Sequence, residues 1–147
     1  MNDPMLSARM RESVEALRQN ILKLTDRKPR ILLVDDNSTD SEMLRQQLVR
    51  QCVPSEIVVV DTCEQAFELI QHEAFDLVFL DLKFPGMSGV ELLRKVGSET
   101  ERIPFIAISG DGSMGDNVMQ EALTNGARAI FRKNFQDPEL RMVCGVL

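Results

Sequence analysis

The apolar positions of residues 30–147 alternate between short continuous runs and a helical spacing. Continuous apolar runs, which are typical of strands buried on both faces of a parallel sheet, occur at residues 31–34, 57–60, 77–80, 105–108 and 129–131. Apolar residues three and four positions apart predict helices around residues 43–49, 66–70, 90–96, 118–123 and 138–143. Five strands alternating with five helices predict an α/β fold, a doubly wound five-stranded parallel sheet with helices on both faces.

Two helix starts can be predicted from side chains that accept backbone hydrogen bonds. Thr39 and Glu42 have the spacing of a capping box at the start of the first helix of this body. Asp61 and Thr62 follow the second strand, and they predict the cap of the next helix.

Residues 1–29 lie outside the alternation, and we interpret them as an N-terminal helical extension and linker before a body at residues 30–147. The extension carries an apolar stripe at the a/d spacing of a coiled coil: Met10, Val14, Leu17, Ile21 and Leu24. An isolated helix of about 15–20 residues is marginal in water, so the stripe needs a partner. We expect a homodimer through this helix, because the body has five helices of its own. Packing of the stripe on the same chain's body is the alternative.

Composition and charge indicate a globular cytoplasmic protein with no nucleic-acid or membrane partner. The chain has a net charge of −6, and because residues 1–30 carry +3, residues 31–147 carry −9, which disfavours nucleic acid as a ligand. No apolar run approaches the roughly 18 residues of a membrane span, and no secretory signal is recognisable. The three cysteines, Cys52, Cys63 and Cys144, lack metal-ligand spacing, so we expect thiols in a reducing compartment.

Polar residues that could carry chemistry stand at the ends of four predicted strands. The first strand ends in Asp35 and Asp36, the third in Asp81, the fourth in Ser109 and the fifth in Lys133. Because ligands of such sheets bind outside the carboxyl ends of the strands, we expect these side chains to converge. Three carboxylates so close would repel one another, and Mg²⁺, which prefers oxygen ligands, would relieve that repulsion. The set is suited to holding a phosphoryl group beside Mg²⁺.

Four segments carry a family resemblance, namely ILLVDDNST, VFLDLKFPGMSGVELL, FIAISG and GARAIFRKNF. They closely resemble the signature segments of response-regulator receiver domains, over about residues 30–144. The segment around Asp81 is the most specific, because the Pro85-Gly86 turn and Gly89 also match. The resemblance implies the flavodoxin-like strand order 2-1-3-4-5.

The resemblance also implies a role for each residue of the site. Asp81 is the expected phosphoacceptor and a metal ligand. Asp36 is expected to bind Mg²⁺ directly and Asp35 through a water molecule, while the backbone carbonyl of Lys83 completes the protein's ligands.

The same resemblance implies a signalling domain rather than an enzyme. A sensor histidine kinase or a histidine phosphotransfer protein is expected to donate the phosphoryl group, and Lys133 is expected to bind it. Ser109 is expected to be the switch hydroxyl that reports the transfer, and the domain would contribute to its own dephosphorylation. The output is expected to be a contact with a protein target or a step in a phosphorelay, because we expect no effector domain after residue 147 unless the chain is part of a longer protein.

Two positions depart from the family pattern. The usual lysine-proline pair, whose bond is commonly cis, is Lys133-Asn134 here, where a cis bond costs about 2.5–4 kcal/mol. The position of the usual aromatic switch residue is Ile130. Phe131 is adjacent, but on a strand it should face the other side of the sheet.

Three alternative functions share part of this pattern. A degenerate receiver would be a binding module that works without phosphorylation, but such domains usually lack an acidic or lysine member of the set. An aspartyl-phosphate phosphohydrolase carries D-x-D-x-[TV] after the first strand, where this chain has Asn37 in place of the second aspartate. A flavodoxin-like nucleotide binder needs a glycine-rich loop there, and Asp35 and Asp36 would repel its phosphate.

Overall fold

The computed structural model describes residues 4–22, 28–51, 55–110 and 115–133. The strands are β1 (Arg30–Val34), β2 (Glu56–Val60), β3 (Leu77–Asp81), β4 (Phe105–Ser109) and β5 (Ala129–Arg132). The helices are α1 (Pro4–Leu22), α2 (Ser38–Gln51), α3 (Cys63–His72), α4 (Gly89–Val96), α5 (Glu99–Arg102) and α6 (Asp116–Thr124). All five predicted strands are confirmed, and the helix predicted at 138–143 lies outside the described residues. Within the described ranges, no helix is both long and apolar enough to cross a bilayer.

The five strands form one parallel sheet in the order β2-β1-β3-β4-β5, which confirms the expected topology. Strand β1 lies between β2 and β3 and pairs with both, so that Leu33 lies opposite both Val59 and Phe79. Because all strands run the same way, their carboxyl ends lie along a single edge of the sheet. Asp81 and Ser109 are the last residues of two neighbouring strands at that edge.

Two layers of helices cover the two faces of the sheet, as a parallel sheet buried on both sides requires. Residues from α3, α4 and α6 form one buried cluster with strand residues that include Leu32, Val34, Val78, Leu80, Phe105 and Ile130. Residues from α1 and α2 form the second cluster with the alternate strand residues, which include Ile31, Leu33, Leu77, Phe79, Ile106 and Phe131. Adjacent residues of one strand therefore enter opposite cores.

The N-terminal helix α1 packs on the body of its own chain. Leu17 is 0% exposed and belongs to the second cluster, Met10 packs against that cluster, and α1 contacts β5. Ser13 on the same helix is also buried, and its hydroxyl donates to the carbonyl of Arg9 at 3.0 Å. For Met10 and Leu17, the structure thus shows the alternative of packing on the same chain. The side chain of Ile21 and residue Leu24 lie outside the described residues, and dimerisation stays a prediction.

One predicted helix cap is wrong and the other is confirmed. Helix α2 is capped by Asn37, whose Oδ1 accepts the backbone N–H of Asp40 at 3.0 Å. Helix α2 begins at Ser38, so Thr39 and Glu42 already lie inside it and neither stands at the capping position. At the start of α3, Thr62 accepts the backbone N–H three residues later, as expected.

Candidate phosphoryl and metal site

Three carboxylates converge where β1 and β3 end side by side. Asp35 and Asp36 directly follow β1, and Asp81 is the last residue of β3. Their ligand oxygens all lie within 4.8 Å of one another. Asp35 and Asp81 are 6% and 3% exposed, whereas Asp36 is open to solvent. The predicted convergence of the three side chains is therefore present, with one carboxylate accessible from outside.

Backbone groups two residues further along the chain hold the two buried carboxylates in place. Asp35 Oδ1 accepts the N–H of Asn37 at 2.9 Å, and Asp81 Oδ1 accepts the N–H of Lys83 at 3.0 Å. Both contacts follow the pattern of Asx turns, in which an aspartate caps the turn that it starts. Lys83 therefore lies beside the acid cluster and orients Asp81 through its N–H.

Lys133 supplies the positive charge of the site. It directly follows β5, and its N–H donates to the carbonyl of Ser109 at 2.8 Å, which continues the sheet past the strand end. Its Nζ lies 2.8 Å from Asp81 Oδ2, 3.2 Å from Asp35 and 3.1 Å from Asp40 Oδ2. Sequence reasoning missed Asp40. The signal that could have found it is its position in the first turn of α2, only four residues after Asp36.

Burial and the close packing of carboxylates around one lysine shift the pKa values of Asp35 and Lys133. Burial raises the pKa of Asp35 to about 6, and the charge of Asp81 adds to this shift, while the N–H of Asn37 and the charge of Lys133 oppose it. Burial by itself would lower the pKa of Lys133, but its hydrogen bonds to Asp81 and Asp40 outweigh that effect and raise the pKa. The lysine stays charged, and the carboxylates still favour a further cation.

The donor set fits Mg²⁺. Carboxylate oxygens and a backbone carbonyl are the ligands that this ion prefers, and it usually keeps several waters and a phosphate oxygen as well. Asp36 is exposed to solvent, so the cluster can be reached from outside. Metal binding requires ionised carboxylates, so a bound divalent cation would also favour the charged form of Asp35.

Ser109 and the residues around Lys133 lie where the strand pattern places them. Ser109 is buried at the end of β4, next to the strand that ends in Asp81. Ile130 and Phe131 belong to opposite buried clusters, which confirms that Phe131 faces away from the side occupied by Ile130. The bond between Lys133 and Asn134 lies outside the described residues.

Gly89 allows α4 to begin directly against the end of β3. A Cβ atom at this position would lie 2.6 Å from the carbonyl oxygen of Asp81 and 2.7 Å from the Cα of Leu82. Those contacts are with backbone, which cannot move aside without displacing Asp81. Gly86, in the preceding turn, has a φ of 88°, which side-chain-bearing residues rarely adopt. The glycines of the signature segment therefore have a geometric cause.

Cys63, the one cysteine among the described residues, has no sign of reactivity. It is a free thiol, fully buried at the start of α3. Burial raises its pKa to about 12, and the nearby carboxylates add to the shift. A thiol that stays protonated is a poor nucleophile and metal ligand, so Cys63 contributes packing. Cys52 and Cys144 lie outside the described residues.

Comparison with known proteins agrees with this geometry. The family model for the response regulator receiver domain matches residues 31–144. The chain is 33% identical over 114 residues to the phosphate regulon transcriptional regulatory protein PhoB of Rhizobium meliloti, covering 76% of this chain and 48% of PhoB. It is 30% identical over 119 residues to the sensor protein GacS of Pseudomonas syringae, covering 78% of this chain and 12% of GacS. The chain thus spans half or less of the length of these relatives.

Solved structures show the same fold. A CheY-like response regulator receiver domain protein from Methanospirillum hungatei is 27% identical, with a TM-score of 0.69 over 78% of this chain and 88% of that one. The signal receiver domain of an HD domain-containing protein from Pseudomonas fluorescens is 26% identical, with a TM-score of 0.70 over 80% of this chain and 91% of that one. By sequence and by fold, the chain belongs to the response-regulator receiver domain family.

Proposed function

We propose that this receiver domain takes a phosphoryl group onto Asp81 in an Mg²⁺-dependent transfer. The observation that carries the proposal is the 2.8 Å contact between Lys133 Nζ and Asp81 Oδ2, inside a cluster of three carboxylates. A buried carboxylate that lies beside both a lysine ammonium group and a set of oxygen ligands suited to Mg²⁺ is well placed to accept a group with several negative oxygens.

The donor in this proposal is a phosphohistidine of a sensor kinase or of a histidine phosphotransfer protein. Relatives of the chain are named as a sensor protein and as a sporulation initiation phosphotransferase, which supports a place in such a relay. An Asp81 carboxylate oxygen bonds to phosphorus while the phosphorus–nitrogen bond breaks, and the imidazole keeps that electron pair. Such transfers have loose transition states, so positioning and charge neutralisation supply most of the catalysis.

Each residue of the site has a task in that transfer. Asp36, Asp35, Asp81 and the carbonyl of Lys83 would hold Mg²⁺, with Asp35 acting through water. When bound, the ion supplies positive charge that balances the phosphoryl oxygens. Lys133 pairs with a phosphoryl oxygen, and the N–H of Lys83 keeps the Asp81 carboxylate oriented.

The output in this proposal is a change in a contact with another protein. The phosphoryl group adds charge and acceptor oxygens at the sheet edge, and the Ser109 hydroxyl turns towards one of them.

The domain acts as a cytoplasmic signalling component that assists its own dephosphorylation, with no direct nucleic-acid or membrane partner. Homodimerisation through the N-terminal helix would have to use positions of α1 that its own body leaves uncovered. The alternative, a degenerate receiver, would bind its partner without any phosphoryl group.

Phosphorylation by a small donor tests the proposal. The full chain incubated with acetyl phosphate and Mg²⁺ is expected to gain the mass of one phosphoryl group, and EDTA is expected to prevent this, because the carboxylates then lack their counter-charge. Intact mass spectrometry measures the label, and peptide mapping after reduction of the acyl phosphate locates it. A label that forms equally well in EDTA, or that maps away from Asp81, contradicts the proposal. An unlabelled chain favours the degenerate receiver.

The role of Ser109 has its own test. Ser109→Ala is expected to leave Mg²⁺ binding nearly unchanged, because the three carboxylates that could hold the ion are Asp35, Asp36 and Asp81. It is expected to weaken the spread of amide NMR shifts that beryllofluoride, a phosphoryl mimic, induces in the wild type. Ser98→Ala is a matched control, because Ser98 is exposed and makes no side-chain cap hydrogen bond. An undiminished response in Ser109→Ala would remove Ser109 from the switch.

A further inference from the structure

Lys133 has a carboxylate partner beyond the acid cluster, Asp40 on the first turn of α2. Its Nζ lies 3.1 Å from Asp40 Oδ2, compared with 2.8 Å from Asp81 Oδ2 and 3.2 Å from Asp35. An ammonium group has three N–H donors. The three carboxylates together match that number of donors. Asp40 therefore accepts one of the N–H groups of Lys133 that would otherwise be available to Asp81.

The backbone of Asp40 is placed independently of the lysine. Its N–H donates to Asn37 Oδ1 at 3.0 Å, the contact that caps α2. An acidic residue in the first helical turn also interacts favourably with the helix dipole, which is sufficient reason for an aspartate at this position. That reason does not account for the direction of the carboxylate, which meets an ammonium 93 positions away in the chain. The contact joins α2 to the end of β5.

We propose that Asp40 is a positioning residue that competes with the phosphoryl group for Lys133 and so slows phosphorylation of Asp81. The inference rests on the proposed function. Before transfer, Asp40 and Asp81 share the ammonium of Lys133. The incoming phosphoryl group offers further acceptor oxygens, and the lysine serves them fully only when it leaves Asp40. Asp40 is not among the three carboxylates that could hold a metal, so we expect it to act through its contact with Lys133.

The labelling rate of the full chain tests this competition. With acetyl phosphate and saturating Mg²⁺, Asp40→Asn is expected to be labelled on the order of fivefold faster than the wild type. This is the rate change that corresponds to losing one contact between two unit charges close to water. Its affinity for beryllofluoride is expected to rise in parallel, and Asp40→Glu is expected to restore a rate near that of the wild type. Glu42→Gln is the matched control, because it removes the same charge from the same helix but from a side chain that pairs with Arg45.

A second background separates action through the lysine from direct repulsion of the donor. In Lys133→Met, the Asp40→Asn change is expected to have no effect on labelling or, where labelling is too slow to follow, on the beryllofluoride titration. Equal acceleration in both backgrounds overturns the inference, as does an unchanged or slower rate in Asp40→Asn alone. A wild type that takes no label overturns the proposed function and the inference with it. A labelled wild type with an unresponsive Asp40→Asn overturns the inference only.

Discussion

Asp81→Asn is expected to leave the domain folded and to abolish its phosphorylation by acetyl phosphate in the presence of Mg²⁺. Asparagine has the same shape, and its amide oxygen can still accept the N–H of Lys83. An amide, however, cannot form the acyl phosphate. The substitution removes a repulsive charge from beside the buried Asp35 and also one ion-pair partner of Lys133. Lys133 keeps Asp35 and Asp40 as partners, so the domain is expected to stay folded.

The expected result is specific to Asp81 because of how the three carboxylates are held. The two oxygens of Asp81 separately contact Lys133 and the N–H of Lys83. Asp35 is buried within its own turn, and Asp36 lies on the open side of the cluster. If either of those two were the acceptor, Asp81→Asn would still take the label.

The measurement is intact mass spectrometry under conditions that label the wild type, with circular dichroism to verify the fold. Asp61→Asn is the control, since it removes an exposed aspartate from the end of β2, outside the cluster. It should be labelled like the wild type. Label retained by Asp81→Asn, or lost from Asp61→Asn, would contradict the assignment of Asp81 as the phosphoacceptor.

The sheet and most of the site could be predicted from the sequence because their signals are local. Each strand is a continuous apolar run, as strands buried on both faces must be. The edge that collects Asp81, Ser109 and Lys133 follows from the parallel direction of the strands alone. The strand order and the individual roles came from the family resemblance, and of these the structure confirms the order.

What sequence reasoning missed depends on contacts between distant residues. Asp40 meets Lys133 across 93 positions, and its place at a helix start already has a sufficient local explanation. The capping-box spacing predicts a cap at Thr39, although Asn37 is the side chain that accepts the N–H of Asp40. The apolar stripe of α1 shows that the helix needs a partner, but the stripe does not identify that partner.

Leu17→Ala is expected to lower the free energy of unfolding by about 2–5 kcal/mol, the usual cost of truncating a fully buried leucine. Leu17 is 0% exposed and lies in the cluster that includes Phe79, Ile106 and Phe131. Alanine is a good helix former, so the loss reports packing rather than the stability of α1 itself. Val49→Ala on α2 is the matched apolar control, because Val49 is 62% exposed and its truncation should change stability by less than about 0.5 kcal/mol.

Concentration dependence decides whether Leu17 serves its own chain or a second copy. If Leu17 is buried within its own chain, the wild type and Leu17→Ala should differ in free energy of unfolding, measured in urea, by the same amount at every protein concentration. A dimer interface predicts that the difference shrinks on dilution, because the stability of a dimer depends on protomer concentration. Sedimentation of the same samples measures the mass directly. A Leu17→Ala variant as stable as the wild type, or a difference that disappears on dilution, would mean that the body of this chain does not depend on α1.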